Sequence, residues 1–320
     1  MPRYRKESVI TTAAGIQLSY EDRGAKSNPV IILIMGLGAQ MTVWPDELCD
    51  GLAQKGFRVI RFDNRDTGLS SQLDEHGTPS LLKTWLSRRL PIQSNIPYQL
   101  EDMANDVLEL LRALNIKRAH LVGASMGGMI AQILAANYKK KVVSLTSIMS
   151  TIAPPALSAP TVKVMLKLAR RPRQSSREAA IRYTMRLNRL IGSPAYPVDD
   201  MTLRQQATAN IERAYNPSGF KRQLAALTAS GDRRHLAAKI KVPTLVIHGA
   251  DDPIIPVVGG HTTARLIRKS KLRIVDGMGH NLPPALIDKM TKWIAKHAKR
   301  ADRKRLAKKS AKKKARQPGA

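Results

Sequence analysis

A single cysteine, Cys49, in 320 residues leaves this chain without a disulfide framework or a cysteine metal cluster. Aromatic residues make up only 4%, and none interleaves the basic run at 299–316, so a platform for stacking nucleic-acid bases is not indicated there. Acid is scarce as well: 24 Asp/Glu face 54 Lys/Arg, a net charge of +30. The longest apolar run, residues 30–37, falls far short of the roughly 20 residues that span a bilayer. The opening Met1-Pro2-Arg3-Tyr4-Arg5-Lys6-Glu7 contains no apolar targeting segment, so a soluble cytoplasmic protein is the expectation. Neither an internal repeat nor a glycine loop of the phosphate-binding type is present, and no cofactor or metal is expected.

What the chain does contain is an apolar strand running straight into a glycine-flanked serine. His120-Leu121-Val122 leads into Gly123-Ala124-Ser125-Met126-Gly127-Gly128, and a helix-forming run follows. A sharp strand-to-helix turn holds one side chain in a strained, exposed position, and the flanking glycines make room for the turn. Ser125 is therefore the candidate nucleophile. A serine hydroxyl needs a base, a group to orient that base, and donors for the developing oxyanion.

Of seven histidines, His280 is the candidate base. It follows the strand residues Leu272-Arg273-Ile274-Val275 and the loop Asp276-Gly277-Met278-Gly279, a position that delivers an imidazole over a sheet edge. His120 and His248 lie within apolar strands and read as packing or supporting groups. For the acid, the stretch after the elbow helix, residues 142–150, holds no carboxylate. The loop after Thr244-Leu245-Val246-Ile247-His248 holds two, Asp251 and Asp252, stiffened by Pro253 and Pro256. One oxyanion donor should be the Met126 amide at the start of its helix, where amides have no intrahelical partner. The other should come from the loop Gly36-Leu37-Gly38 after the apolar strand at 30–35.

These motifs resemble the α/β-hydrolase superfamily over roughly residues 8–298. The elbow, the Gly249-x-x-Asp252-x-x-x-Pro256 loop and Gly279-His280 fall in the family's order. The resemblance implies Ser125 as nucleophile, Asp252 as acid, His280 as base, and Leu37 and Met126 as oxyanion amides. Asp63-Asn64-Arg65-Asp66-Thr67-Gly68-Leu69-Ser70 carries Asp66 where the family usually has glycine. This form, with Met35-Gly36-Leu37-Gly38 and Trp44-Pro45-Asp46-Glu47, resembles the aclacinomycin methylesterase-like branch. Met35-Gly36 also stands where many relatives have His-Gly, so a histidine that helps to order that loop is missing.

The implied fold is a mostly parallel central sheet flanked by helices, an α/β-hydrolase core at 1–150 and 232–298 with a helical cap at 151–231. Amphipathic spacing predicts a helix over 98–115. In the cap, helical patterns are expected at 161–170, 177–191, 200–214 and 217–229. Tyr183, Met185, Leu187, Leu190 and Tyr196 are either pocket-facing or, more usually for such residues, cap core. Residues 161–190 carry nine Lys/Arg and one Glu, a solvated face or a means of steering anions.

The tail at 299–320 is almost all Lys, Arg and Ala, and is expected to be disordered or at most a transient helix. It is either a solvated appendage or a weak electrostatic contact for nucleic acid or an anionic membrane. The resulting functional expectation is hydrolysis of a small or methyl ester through an acyl-enzyme. The alternatives are C–C bond cleavage or perhydrolysis by the same triad, and a non-catalytic protein that binds anionic polymers through its tail.

Overall fold

The computed structural model describes residues 7–87, 90, 94–154 and 176–314. Eight strands form one sheet, in the order β1-β2-β4-β3-β5-β6-β7-β8. β1 (Ser8–Thr11) and β2 (Gln17–Arg23) make the N-terminal hairpin, and β2 runs antiparallel to β4. All later pairings are parallel: β3 (Val30–Ile34), β4 (Arg58–Phe62), β5 (Ala119–Ala124), β6 (Val142–Ile148), β7 (Thr244–Gly249) and β8 (Ser270–Val275). Every residue of β3 and β5 is buried, as required of strands with both faces covered.

Helices cover both faces. α1 (Asp46–Gln54) packs against the C-terminal helix on one side. α2 (Leu81–Leu86) is short and lies in the connection from β4 to α3 (Leu100–Ala113). α3 carries the predicted apolar stripe, with Leu100, Met103, Val107, Leu110 and Leu111 buried, and Asp102 caps it by accepting from the Gln99 amide at 2.7 Å. α4 (Met126–Asn137), entered directly from the elbow, is buried along almost its whole length.

Between β6 and β7 the described residues are helical. α5 (Arg177–Ile191), α6 (Asp200–Arg213) and α7 (Pro217–Ser230) fall where periodicity puts them, each started by a polar cap: Ser176, Asp199 and Asn216. The helix expected at 161–170, and the basic residues there, lie outside the described residues. Met185 sits in a small core with Ile181, Leu203 and Ala207, which makes it packing within the insertion. α8 (Arg234–Ala237) returns the chain to the sheet, and α9 (Val258–Leu266) links β7 to β8.

The tail departs from expectation. The last helix, α10 (Ile287–Lys314), runs on through the basic segment instead of breaking at residue 299. Ala, Lys and Arg are good helix formers, so a helix already nucleated by packing propagates through them at little cost. Ala298 and Ala301 are buried, and the Asp302 carboxylate binds His120 Nε2 at 2.9 Å. His120 Nδ1 in turn meets Ser144 Oγ at 2.8 Å, so this strand histidine ties the final helix to the sheet. Among the described residues no helix is long and apolar enough to cross a membrane.

Candidate active site

The C-terminal ends of the parallel strands bring the candidate residues to one edge. Ser125 follows β5 with φ 54° and ψ −122°, a left-handed backbone conformation that costs on the order of 1–2 kcal/mol for a residue with a Cβ. The turn survives because its neighbours are glycine. A Cβ on Gly123 would stand 2.2 Å from the Gly127 carbonyl oxygen, and one on Gly127 would stand 2.1 Å from that of Ile34. The Ser125 amide donates to the Ile148 carbonyl at 2.9 Å, and Ser150 Oγ donates to the Ser125 carbonyl at 2.7 Å, so neighbouring β6 braces the elbow.

His280 comes from the loop after β8. Its Nε2 lies 3.0 Å from Ser125 Oγ and its Nδ1 lies 2.7 Å from Asp252 Oδ2. The remaining Asp252 oxygen accepts from the Ile254 and Ile255 amides at 2.9 and 2.8 Å, so the carboxylate has one direction left in which to face the imidazole. Asp251 acts elsewhere. Its Oδ2 accepts from the Gly277 amide at 2.8 Å, pinning the loop that carries His280. That loop is held from the insertion too, by Gly279 N to Ser193 Oγ at 2.9 Å and His280 N to the Ile191 carbonyl at 2.7 Å. Asp252 and His280 are both nearly buried, with 6% and 8% of their surface exposed.

His248 lies behind the carboxylate, 3.5 Å from Asp252 Oδ2, with its Nε2 donating to the Ile255 carbonyl at 2.8 Å. Burial holds its imidazole below the ordinary histidine range, with the Ile255 carbonyl and Asp252 pulling the other way. It is therefore a neutral support for the loop that carries Asp252. Cys49, on the buried side of α1, is pushed up to about 11 by burial and is not a nucleophile at neutral pH.

Met126 opens α4 immediately after Ser125, and Gly36 packs against the serine: a Cβ on Gly36 would stand 3.6 Å from Ser125 Oγ. Both candidate oxyanion amides, Leu37 and Met126, thus belong to segments that touch the nucleophile. The loop 36–40 is clamped by the helical insertion. Gln223 of α7, fully buried, accepts from the Gly38 amide at 2.7 Å. Its Nε2 donates to the Arg65 carbonyl at 2.7 Å and to Thr67 Oγ1 at 2.8 Å. Phe220 lies over Gly38, whose φ of +63° and close approach admit no side chain. Further along, Gln40 Nε2 donates to the Asn210 and Ala214 carbonyls at 2.6 and 2.9 Å.

Two buried ion pairs complete the clamp. Arg213, the last residue of α6, binds Asp63 and Glu7, both at 2.7 Å. Burial pushes the Asp63 carboxyl up, and the Arg213 guanidinium opposes it. Arg222 of α7 binds Asp66 through Nε and Nη2 at 2.9 and 2.7 Å, while Tyr98 donates to the same carboxylate at 2.7 Å. Asp66 has φ 66°, which fits a position usually held by glycine, and its carboxylate finds its partner 156 residues away. The sequence pattern marks Asp66 but carries no signal for Arg222, Gln223 or Arg213, which lie on helices whose polar positions read as solvated.

The fold recurs in known proteins. The family model described as alpha/beta hydrolase fold matches residues 29–284. The chain belongs to the alpha/beta hydrolase fold family. Rhodomycin D methylesterase DauP from Streptomyces sp. (strain C5) is 25% identical over 312 residues, covering 91% of this chain and 98% of the relative. A putative carbamate hydrolase, RutD, from Variovorax paradoxus is 27% identical over 270 residues, covering 82% and 89%. The enol-lactonase from Burkholderia xenovorans LB400 superposes with a TM-score of 0.71 at 23% identity, over 91% of this chain and 99% of that one, a likeness of fold. The resemblance to methylesterases read from Arg65-Asp66-Thr67-Gly68 agrees with these relatives, at low identity.

Proposed function

We infer that the protein is a serine hydrolase of small carboxylic esters, methyl esters foremost. The observation that carries this reading is the continuous contact chain Ser125 Oγ, His280 Nε2, His280 Nδ1, Asp252 Oδ2, with spacings of 3.0 and 2.7 Å at a strained elbow. In this reading His280 takes the Ser125 proton as Oγ attacks the ester carbonyl, and Asp252 holds the imidazolium. The Leu37 and Met126 amides receive the oxyanion, which is worth on the order of 10²–10³ in rate per donor. His280 then passes its proton to the leaving alcohol, and water resolves the acyl-enzyme by the same route. Residues 151–231 act as a cap that excludes water and shapes the pocket over a core formed by 1–150 and 232–298. The relatives named as methylesterases support an ester with a small alcohol.

The test is turnover of p-nitrophenyl acetate and butyrate and of methyl esters of graded acyl length, with covalent labelling by a fluorophosphonate. Ser125→Ala should lose labelling and turnover, by about 10⁴-fold or more, while its melting temperature stays within a few degrees. Full activity in that variant removes Ser125 from the mechanism. Clear cleavage of a dienone C–C bond beside no ester turnover would replace the ester reading with C–C hydrolysis. Failure of both turnover and labelling would make the protein a non-catalytic member of its family.

A further inference from the structure

The parallel strands place the elbow at one edge of the sheet, and at the opposite edge they collect cations. Lys117-Arg118 stands immediately before β5. Lys139-Lys140-Lys141 stands immediately before β6. Lys239 and Lys241 precede β7, and Arg268-Lys269 leads into β8. These nine side chains are exposed, and none forms an ion pair among the described residues. No carboxylate occurs within any of the four segments. Because β5 to β8 are parallel neighbours, the four segments lie side by side. The Ala119 amide donates to the Lys141 carbonyl at 3.0 Å and the Thr244 amide to the Lys269 carbonyl at 2.9 Å.

The last helix extends the same edge. α10 is tied there by Asp302 to His120, the second residue of β5, and His297 faces the carbonyls of Pro243 and Leu145. Exposed Lys299, Arg300, Arg303 and Lys304 therefore join the strand cations. A hollow of about 400 Å³ between this helix and the Gly56-Phe57 turn is lined by Lys299 and Arg303. With neighbouring strands about 4.8 Å apart, the four segments span roughly 15 Å, close to the ~12 Å major groove of a duplex. α10 then carries basic sequence a further ten residues beyond Lys304, about 15 Å along its axis.

We propose that this edge and the C-terminal helix form a docking surface for the phosphate backbone of double-stranded nucleic acid, read without sequence preference. Two observations favour a duplex over other polyanions. A helix that lies on a bilayer needs an apolar face, and from Lys304 to Lys314 the only large apolar residue is Leu306. A surface for single strands needs aromatic side chains to stack bases, and the only aromatic in or beside the four strand-leading segments is Tyr138, which bonds Asn105 through its hydroxyl. The surface lies about 20 Å from Ser125, the length of β5, so docked nucleic acid leaves the elbow open. It is independent of the ester reading.

The experiment is fluorescence anisotropy of a labelled 20-base-pair DNA duplex with the full chain between 50 and 150 mM KCl. If about half of the cations on this edge meet phosphates, log K against log salt has a slope of about −6 and binding weakens by on the order of 10³ over that range. Replacing Lys139, Lys140, Lys141, Lys239 and Lys241 with glutamine should reduce the slope by about two, with hydrolysis of p-nitrophenyl butyrate unchanged. The same five positions changed to arginine should bind like the parent, which separates charge from folding. Removing residues 307–320 should weaken binding but leave a salt-dependent remainder. The proposal is overturned if the glutamine variant binds like the parent, if the truncation alone abolishes binding, or if the duplex is not bound at 50 mM. It is also overturned if phosphatidylglycerol vesicles displace the duplex at equal phosphate concentration.

Discussion

Replacing Gln223 with leucine tests whether the insertion positions the oxyanion loop. The side chain is fully buried and makes three hydrogen bonds: from Gly38 N, to the Arg65 carbonyl and to Thr67 Oγ1, all at 2.7–2.8 Å. Leucine is close to it in size, so the variant strands an amide and a carbonyl in a dry site without opening a large cavity. Each stranded group costs about 1–3 kcal/mol, so stability should fall by roughly 2–6 kcal/mol, or about 3–9 °C in melting temperature for a chain of this size. Gly38 adjoins Leu37, so the freed loop should also lose most of one oxyanion donor, and kcat should fall about 10²-fold with KM within a few-fold. Gln223→Glu keeps an acceptor for Gly38 but opposes a carboxylate to the Arg65 carbonyl. It should therefore lose stability while retaining more of kcat than the leucine variant. Steady-state kinetics on p-nitrophenyl butyrate with thermal melts read both quantities. A leucine variant with kcat within threefold of the parent and a melting point lowered by less than 2 °C refutes the reasoning.

Further outcomes follow from other contacts. Asp252→Asn should cost about 10⁴ in kcat, because the amide presents the wrong partner to His280 Nδ1, whereas Asp251→Asn keeps an oxygen for Gly277 N and should cost less than tenfold. The reverse order of effects would move the acid by one residue. Asp66→Gly removes a buried partner of Arg222 but relieves a positive φ, for a net loss of about 2–4 kcal/mol, and adding Arg222→Met should restore much of it, as urea unfolding would register. Burial lowers the His297 imidazole to about 4, from an ordinary value near 6.5. Between those values the unfolded chain binds a proton that the native one does not, so stability is lost as pH falls from 6.5 towards 4 and the loss then levels off. His297→Gln should remove up to about 3 kcal/mol of the difference between pH 7.5 and pH 4, seen as a flatter acid limb in urea unfolding. An unchanged limb would show that His297 does not titrate as its burial dictates.

The sheet is readable because strands buried on both faces leave unbroken apolar runs, as at 30–34, and α3 because its stripe repeats at helical spacing. The candidate triad is readable because each member follows a strand and sits in a glycine-rich turn. The choice between Asp251 and Asp252 rests on resemblance, and the geometry that separates their roles depends on Gly277, 26 residues from Asp251. Arg222 and Gln223 give no signal, since a polar residue on an amphipathic helix looks the same facing solvent as facing Asp66. The tail misleads for a related reason. Composition reports charge repulsion but not the seat that Ala298, Ala301 and the Asp302–His120 pair provide.

The hydrogen bond between Gly38 and Gln223 joins residues 185 apart, and the pairs Arg213–Asp63 and Arg222–Asp66 are nearly as far-reaching. The sheet core can condense from neighbouring strands, but the loop at residue 36 acquires its shape only after α6 and α7 have been made and docked. Under the proposed mechanism, competence for catalysis is then a property of the finished chain. A nascent or partly unravelled molecule, even with Ser125 on its elbow, lacks a shaped loop at residues 36–40, so under the same mechanism an incomplete product would be chemically silent.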